Sequence, residues 1–188
     1  MYDFKVYYDV YRFALATGMR AGEIGALTHA DIKDGFISIR KTVTKDITGG
    51  AIVGDTPKTE HGERQIPLND TIREIIDHQK EINAMLDGNI VGINERIFKA
   101  PQRGLLVVYP VDREIARICK RAGIRRFSMH AFRATFATRC IDAGVNPRTL
   151  QDLLGHAHFD LTMSLYGHTM DESKIEAMST IQDVSAAY

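Results

Sequence analysis

A chain of 188 residues with 24 basic and 24 acidic side chains has zero formal net charge and room for one domain with a real core. Its 44% hydrophobic and 26% charged content excludes the disordered and fibrous classes, and no apolar run is long enough to span a membrane. Near the start Asp3 stands where a secretory signal would be basic, and Cys119 and Cys140 form no CxxC, so free thiols in a reducing cytoplasm are expected.

Helical spacing of Phe4, Tyr7, Tyr8, Tyr11, Ala14 and Leu15 predicts a first helix over residues 4–16, broken by Thr17-Gly18. A short helix follows through "AGEIGALTH". From Gly35 to Leu68 the pattern turns to strands: "GFISIRKTVT", a second strand beyond the Gly49-Gly50 turn, and "RQIPL" after a turn in "TEHGER". These predict one antiparallel sheet of three strands. Asn69 is placed to cap a helix with Ile72, Ile75, Ile76, Ile82 and Leu86 on one face. Residues 87–110, rich in Gly and Asn, are expected to be loop with at most one short helical turn. Helices follow over residues 111–122, ended by Gly123, and 129–143, ended by Gly144. Asn146-Pro147 starts another, which buries Leu150, Leu153 and Leu154 and stops at Gly155. A short helix carries Tyr166, and Thr169 and Glu172 form a capping box for an acidic last helix, residues 170–183. The expected fold is mainly α with a small antiparallel β-sheet, an α+β domain.

Zero net charge conceals an uneven distribution. Between Arg113 and Arg139 lie eight basic residues against the single acid Glu114. A polyanion needs such a block, because binding releases condensed counterions. A solvated helix face has the same composition, so at this point both readings stand.

Several polar residues fall where helices and turns end. Arg20 follows Thr17-Gly18-Met19 at a helix start, and Lys58 precedes the "TEHGER" turn. His130 and Arg133, spaced i, i+3, share a helix face. His156 follows Gly155, and Tyr166 comes ten residues later. Each alone has an ordinary structural use: a surface arginine, a satisfied histidine, a half-buried tyrosine among Leu161, Met163 and Leu165.

Together, "TGMRAGEIGALTHADI", "TPKTEHGERQIPL", "HAFRATFATRCIDAGVNPRTLQDLLGH" and "SLYGH" resemble the boxes of the tyrosine recombinase family. The order of arginine, lysine, His-x-x-Arg, histidine and tyrosine is the family's, and the surrounding wording is similar to integrases of phages and conjugative transposons. The resemblance covers roughly residues 4 to 170. It departs at Ala134, where the family often has histidine.

The resemblance implies a site-specific recombinase catalytic domain, residues 1–188, acting on double-stranded DNA without metal or other cofactor. Tyr166 would attack a phosphodiester to give a 3′-phosphotyrosine and a free 5′-hydroxyl. Arg20, Arg133 and His156 would hold the non-bridging oxygens, His130 would assist proton transfer, and Lys58 would protonate the leaving oxygen. Glu23 resembles the family's acid after the first arginine and would orient its neighbours; an acid meeting a helix dipole is the plainer reading. The resemblance further implies a tetramer on DNA, with residues 170–183 docking onto a neighbouring protomer or packing on their own domain. Members usually carry an N-terminal core-binding domain as well, and none is expected within this chain. A type IB topoisomerase would share the chemistry. A metal hydrolase built on His130, His156 and His158 lacks any HExxH pattern.

Overall fold

The computed structural model describes residues 7–55, 63–87, 92–101, 104–166 and Met178. Helix α1 (Tyr8–Thr17) buries Val10, Phe13, Ala14 and Thr17, an i, i+3, i+4, i+7 stripe. Tyr8, expected on the inner face, is exposed. Tyr7, Val10 and Phe13 take the interior in its place. Gly18 ends the helix at φ 64°, and its N–H returns to the Ala14 carbonyl. Helix α2 (Ala21–Ala26) and a 3₁₀ turn at His29–Asp31 follow.

Five strands form two antiparallel sheets, where one sheet of three was expected. β1 (Ile32–Lys33), β2 (Phe36–Ile39) and β5 (Arg64–Pro67) pair in the order β1-β2-β5, while β3 (Lys41–Lys45) and β4 (Ala51–Asp55) form a separate ribbon. The predicted strand "GFISIRKTVT" breaks at Arg40. Ahead of the break, β2 pairs with β5 so that Ile37 and Ile66 lie opposite each other in the core. Beyond it, β3 pairs only with β4 and packs on α2. That β5 returns past the ribbon to β2 is a long-range pairing, and hydrophobic alternation within each strand does not encode it.

Asn69 caps α3 (Asp70–Asp87), its Oδ1 accepting from Ile72 N at 2.9 Å. Ile72, Ile75 and Ile76 are buried as expected, whereas Leu86 in the last turn is exposed. α4 (Val108–Ala122) starts three residues earlier than expected, with Pro110 in its first turn, where a missing N–H is harmless. α5 (Met129–Asp142), α6 (Pro147–Leu154), α7 (Phe159–Met163) and a 3₁₀ turn at Ser164–Tyr166 complete the described chain. Leu150 and Leu154 are buried, but Leu153 only partly. Apart from Met178, the expected last helix and its capping box lie outside the described residues.

The main core draws on α1, α2, β2, β5, α3 and α4. A smaller one gathers Ala137, Leu150 and Leu154, with Phe136, Cys140, Val145 and Tyr166 packed against it. Cys119 is buried and Cys140 half-buried, both as free thiols. Among the described residues, no helix is long and apolar enough to cross a membrane.

Candidate active site

Arg20 stands in extended conformation (φ −71°, ψ 148°) just ahead of α2, where its backbone N–H has no helical partner. Glu23 Oε2 accepts from that N–H at 2.8 Å, while Glu23 Oε1 accepts from Arg20 Nη1 at 3.0 Å. Glu23 thus holds both the backbone and the side chain of Arg20, but its main partner is another residue. Arg64, the first residue of β5, donates from Nη1 and Nη2 to the two Glu23 oxygens at 2.9 and 2.7 Å. The pair is nearly sealed from solvent, at 6% and 3% side-chain exposure. Burial alone would raise the Glu23 carboxyl. The hydrogen bonds and charge of Arg64, with those of Arg20, outweigh it and hold Glu23 below the ordinary carboxylate range.

Arg133 is buried on α5 beside Met129 and Ala137. It donates from Nη1 to Gly18 O at 2.7 Å and from Nη2 to Leu154 O at 2.6 Å, joining the end of α1 to the end of α6. Burial, and then the charge of Arg20, push it down to about 9, which leaves it cationic at neutral pH.

Arg20, Arg133 and His130 line one open cavity of about 290 Å³, with Met19, Ala21, Gly22, Val108, Asp112, Ser128 and Met129. His130 is exposed and Arg133 buried, so the i, i+3 pair spans the depth of the wall. The N-termini of α2 and α5 open onto the same space and add partial positive charge. Asp112 Oδ1 caps α5 by accepting from Met129 N at 2.7 Å. Two guanidinium groups, one imidazole and two helix starts line this cavity, with the Asp112 carboxylate at the start of α5.

His156 follows Gly155, which turns the chain out of α6 at φ 64°, a conformation that glycine adopts without steric cost. Buried Gln151 holds the histidine's backbone twice: Gln151 O accepts from His156 N at 3.2 Å, and Gln151 Nε2 donates to His156 O at 3.0 Å. The ring's Nδ1 lies 3.0 Å from Thr162 Oγ1. Burial, then Arg133, Arg20, Arg64 and His130, push His156 down to about 4, so it is neutral at neutral pH.

Tyr166 is not among the residues lining the cavity. Its ring packs on the smaller core, and its hydroxyl donates to Val145 O at 2.5 Å, in the α5–α6 connection. Burial, with Cys140, raises it above its usual value and keeps the phenol protonated. Lys58 lies outside the described residues. His158 is exposed, as expected of a surface residue. Among the described residues, no group of three or more His, Cys, Asp and Glu side chains gathers as a metal would need.

Residues 5–173 match the model of the phage integrase family. The chain belongs to the phage integrase family. Its relatives include the transposase from transposon Tn916 of Enterococcus faecalis, 26% identical over 190 residues, covering 93% of this chain and 45% of that protein. The ICEBs1 integrase of Bacillus subtilis (strain 168) is 28% identical over 188 residues, covering 96% of this chain and 49% of that protein. The chain therefore spans about half the length of these relatives. Among solved structures, the Tn1549 transposon integrase in complex with transposon right end DNA superposes with TM-score 0.81 at 24% identity, over 95% of this chain and 60% of that one. XerA recombinase superposes with TM-score 0.61 at 24% identity, over 94% of this chain and 56% of that one. These structures establish the fold of this integrase-family chain.

Arg64, Gln151 and Thr162 hold the candidate residues Glu23 and His156 but were not found from the sequence. Arg64 sits inside "TPKTEHGERQIPL", the stretch that supplied Lys58, and a basic residue opening a strand of core isoleucine was its one local signal. Gln151 between Leu150 and Leu153, and Thr162 between Leu161 and Met163, are polar residues in apolar settings, and that contrast was legible.

Proposed function

We propose that this chain is the catalytic domain of a site-specific DNA recombinase that cleaves and rejoins double-stranded DNA through Tyr166. The observation that carries the reading is the cavity walled by Arg20, Arg133 and His130 in a chain of the phage integrase family. The scissile phosphate sits in this cavity. Arg20 and Arg133 hold its non-bridging oxygens, because guanidinium groups stay charged and form paired hydrogen bonds to such oxygens. His156 donates one more hydrogen bond, as a neutral imidazole. Preorganised donors of this kind carry most of phosphoryl-transfer catalysis.

The Tyr166 oxygen attacks phosphorus, forming the 3′-phosphotyrosine bond as the P–O5′ bond breaks. His130 takes the phenol proton, and Lys58 supplies a proton to the departing 5′-oxygen. Attack by the 5′-hydroxyl of another strand reverses these steps and reseals the backbone, so bond energy is conserved. Tyr166 must first leave its hydrogen bond to Val145 O. Each protomer contributes one such site to a tetramer on DNA, and residues 170–183 serve either to join neighbours or to cover their own domain. The reaction belongs in the cytoplasm, on mobile-element DNA. Membership of the integrase family favours strand exchange over type IB topoisomerase relaxation.

A duplex nicked beside the scissile phosphate traps the covalent complex. The wild-type chain should then shift on a denaturing gel. Tyr166→Phe, which keeps the ring, should melt cooperatively and give no shifted band. An equal shift from the phenylalanine variant would remove Tyr166 as the nucleophile.

A further inference from the structure

Thr162 lies on α7, four residues before Tyr166, and its side chain is wholly buried. Three other helical threonines turn their hydroxyls back on the preceding turn: Thr17 donates to Phe13 O at 2.7 Å, Thr135 to Ala131 O at 2.9 Å and Thr138 to Ala134 O at 3.1 Å. Thr162 instead places Oγ1 3.0 Å from His156 Nδ1, and among the described residues its hydroxyl has no other partner.

Two hydrogen arrangements fit that distance. A protonated Nδ1 could donate to Oγ1, but the buried hydroxyl hydrogen would then lack an acceptor, which costs about 1–3 kcal/mol. Alternatively the hydroxyl donates to a bare Nδ1, and both groups are satisfied. We infer that Thr162 donates its hydroxyl to His156 Nδ1 and so fixes the imidazole as the Nε2–H tautomer, leaving Nε2–H as the donor the ring has to offer. The surroundings agree: burial first, then Arg133, Arg20, Arg64 and His130, keep the ring neutral, and only a neutral ring can accept from Thr162.

For function the inference rests on the proposed recombinase reading, in which His156 donates to a phosphate oxygen. The other tautomer would aim a lone pair at that oxygen. Thr162 is therefore a positioning residue that acts through His156. The contact also ties the histidine to the segment that leads into Tyr166.

The test compares the wild-type chain with Thr162→Ser, which keeps the hydroxyl, and Thr162→Val, which keeps the shape. Long-range proton–nitrogen NMR of protein labelled with nitrogen-15 histidine reports the tautomer, with His156 assigned by the signal lost in His156→Gln. Wild type and Thr162→Ser should show protonated Nε2 and bare Nδ1, and Thr162→Val should show mixed tautomers. On the nicked duplex, Thr162→Val should form covalent complex more slowly, approaching the about 10²–10³-fold loss typical of one removed charge-stabilising donor. Thr162→Ser should recover most of the rate.

A protonated Nδ1 in wild type overturns the inference, whatever the chain does to DNA. Equal cleavage rates for Thr162→Val and wild type overturn the positioning role. Protonated Nε2 in a wild-type chain that forms no covalent complex supports the tautomer assignment and counts against the recombinase reading alone.

Discussion

Three arginines end on three successive carbonyls at the C-terminus of α6: Arg64 on Leu153, Arg133 on Leu154 and Arg20 on Gly155. The negative end of the helix and the Glu23 carboxylate together offset charges that would otherwise repel one another. Arg20 and Arg133 were legible in the sequence only through the resemblance of their surrounding boxes to the family's, since each alone has an ordinary structural use. Arg64 was not, since its meaning depends on Glu23, 41 positions away in the chain. Replacing Glu23 should show how much rests on the pair. A carboxyl held below its ordinary 4.5 binds protons more weakly when folded than when unfolded, so it stabilises the fold above about pH 4.5 and loses that effect as pH falls through its folded value. Glu23→Gln leaves Arg64 buried without its counter-ion and should lower stability at pH 7 by about 3–5 kcal/mol. Denaturant unfolding across pH should find the gap to wild type narrowing below pH 4.5. A gap independent of pH would mean that the charge on Glu23 is not what stabilises the site.

At the scale of elements, helix ends were the best-read features. Gly18, Gly123, Gly144 and Gly155 all take positive φ at or just beyond a helix end, as their places in the sequence predicted. The expectation of one three-stranded sheet failed, because each hairpin turn specifies only its own two strands. The cost of that misreading is local: the ribbon β3–β4 lies against α2, the helix that Arg20 precedes, and not in the main sheet. The fit there is close. A Cβ on Gly25 would come within 2.3 Å of Leu106 O, and one on Gly22 within 2.5 Å of Thr42 Oγ1 and 2.8 Å of Val43 O. Alanine for glycine inside a helix ordinarily stabilises by about 0.5–1 kcal/mol. Here the sign should invert, with Gly22→Ala and Gly25→Ala each losing about 1–3 kcal/mol by forcing backbone apart. Gly54→Ala, whose Cβ would meet only Thr44 Cγ2 at 3.7 Å, is the control and should melt near wild type. Comparable melting temperatures for all three would mean that α2 needs neither the ribbon nor Leu106 at these distances.

Over the whole molecule, charge is zero in sum but sorted in space. Lys120, Arg121, Arg125 and Arg126 lie at the end of α4 and in the connection to α5, and among the described residues none of them has an ion-pair partner. The same connection leads into Ser128, Met129 and His130 on the cavity wall. Arg12, by contrast, is already paired with Glu74 at 2.9 Å. The sequence left the basic block open between a solvated face and a polyanion surface, and its continuity with the cavity favours the second. On that reading the strand carrying the reacting phosphate continues across the α4–α5 connection. The logarithm of DNA affinity falls with the logarithm of salt by about 0.9 for each phosphate neutralised. Replacing Arg125 and Arg126 together by alanine should lower that slope by about 0.9 for each arginine that touches a phosphate. Arg12→Ala should leave it unchanged. Because phosphate contacts carry no sequence information, the double variant should weaken binding to all duplexes alike. Titrations of a labelled duplex at several salt concentrations measure the slope directly. A slope identical in wild type and the double variant would return Arg125 and Arg126 to an ordinary solvated face.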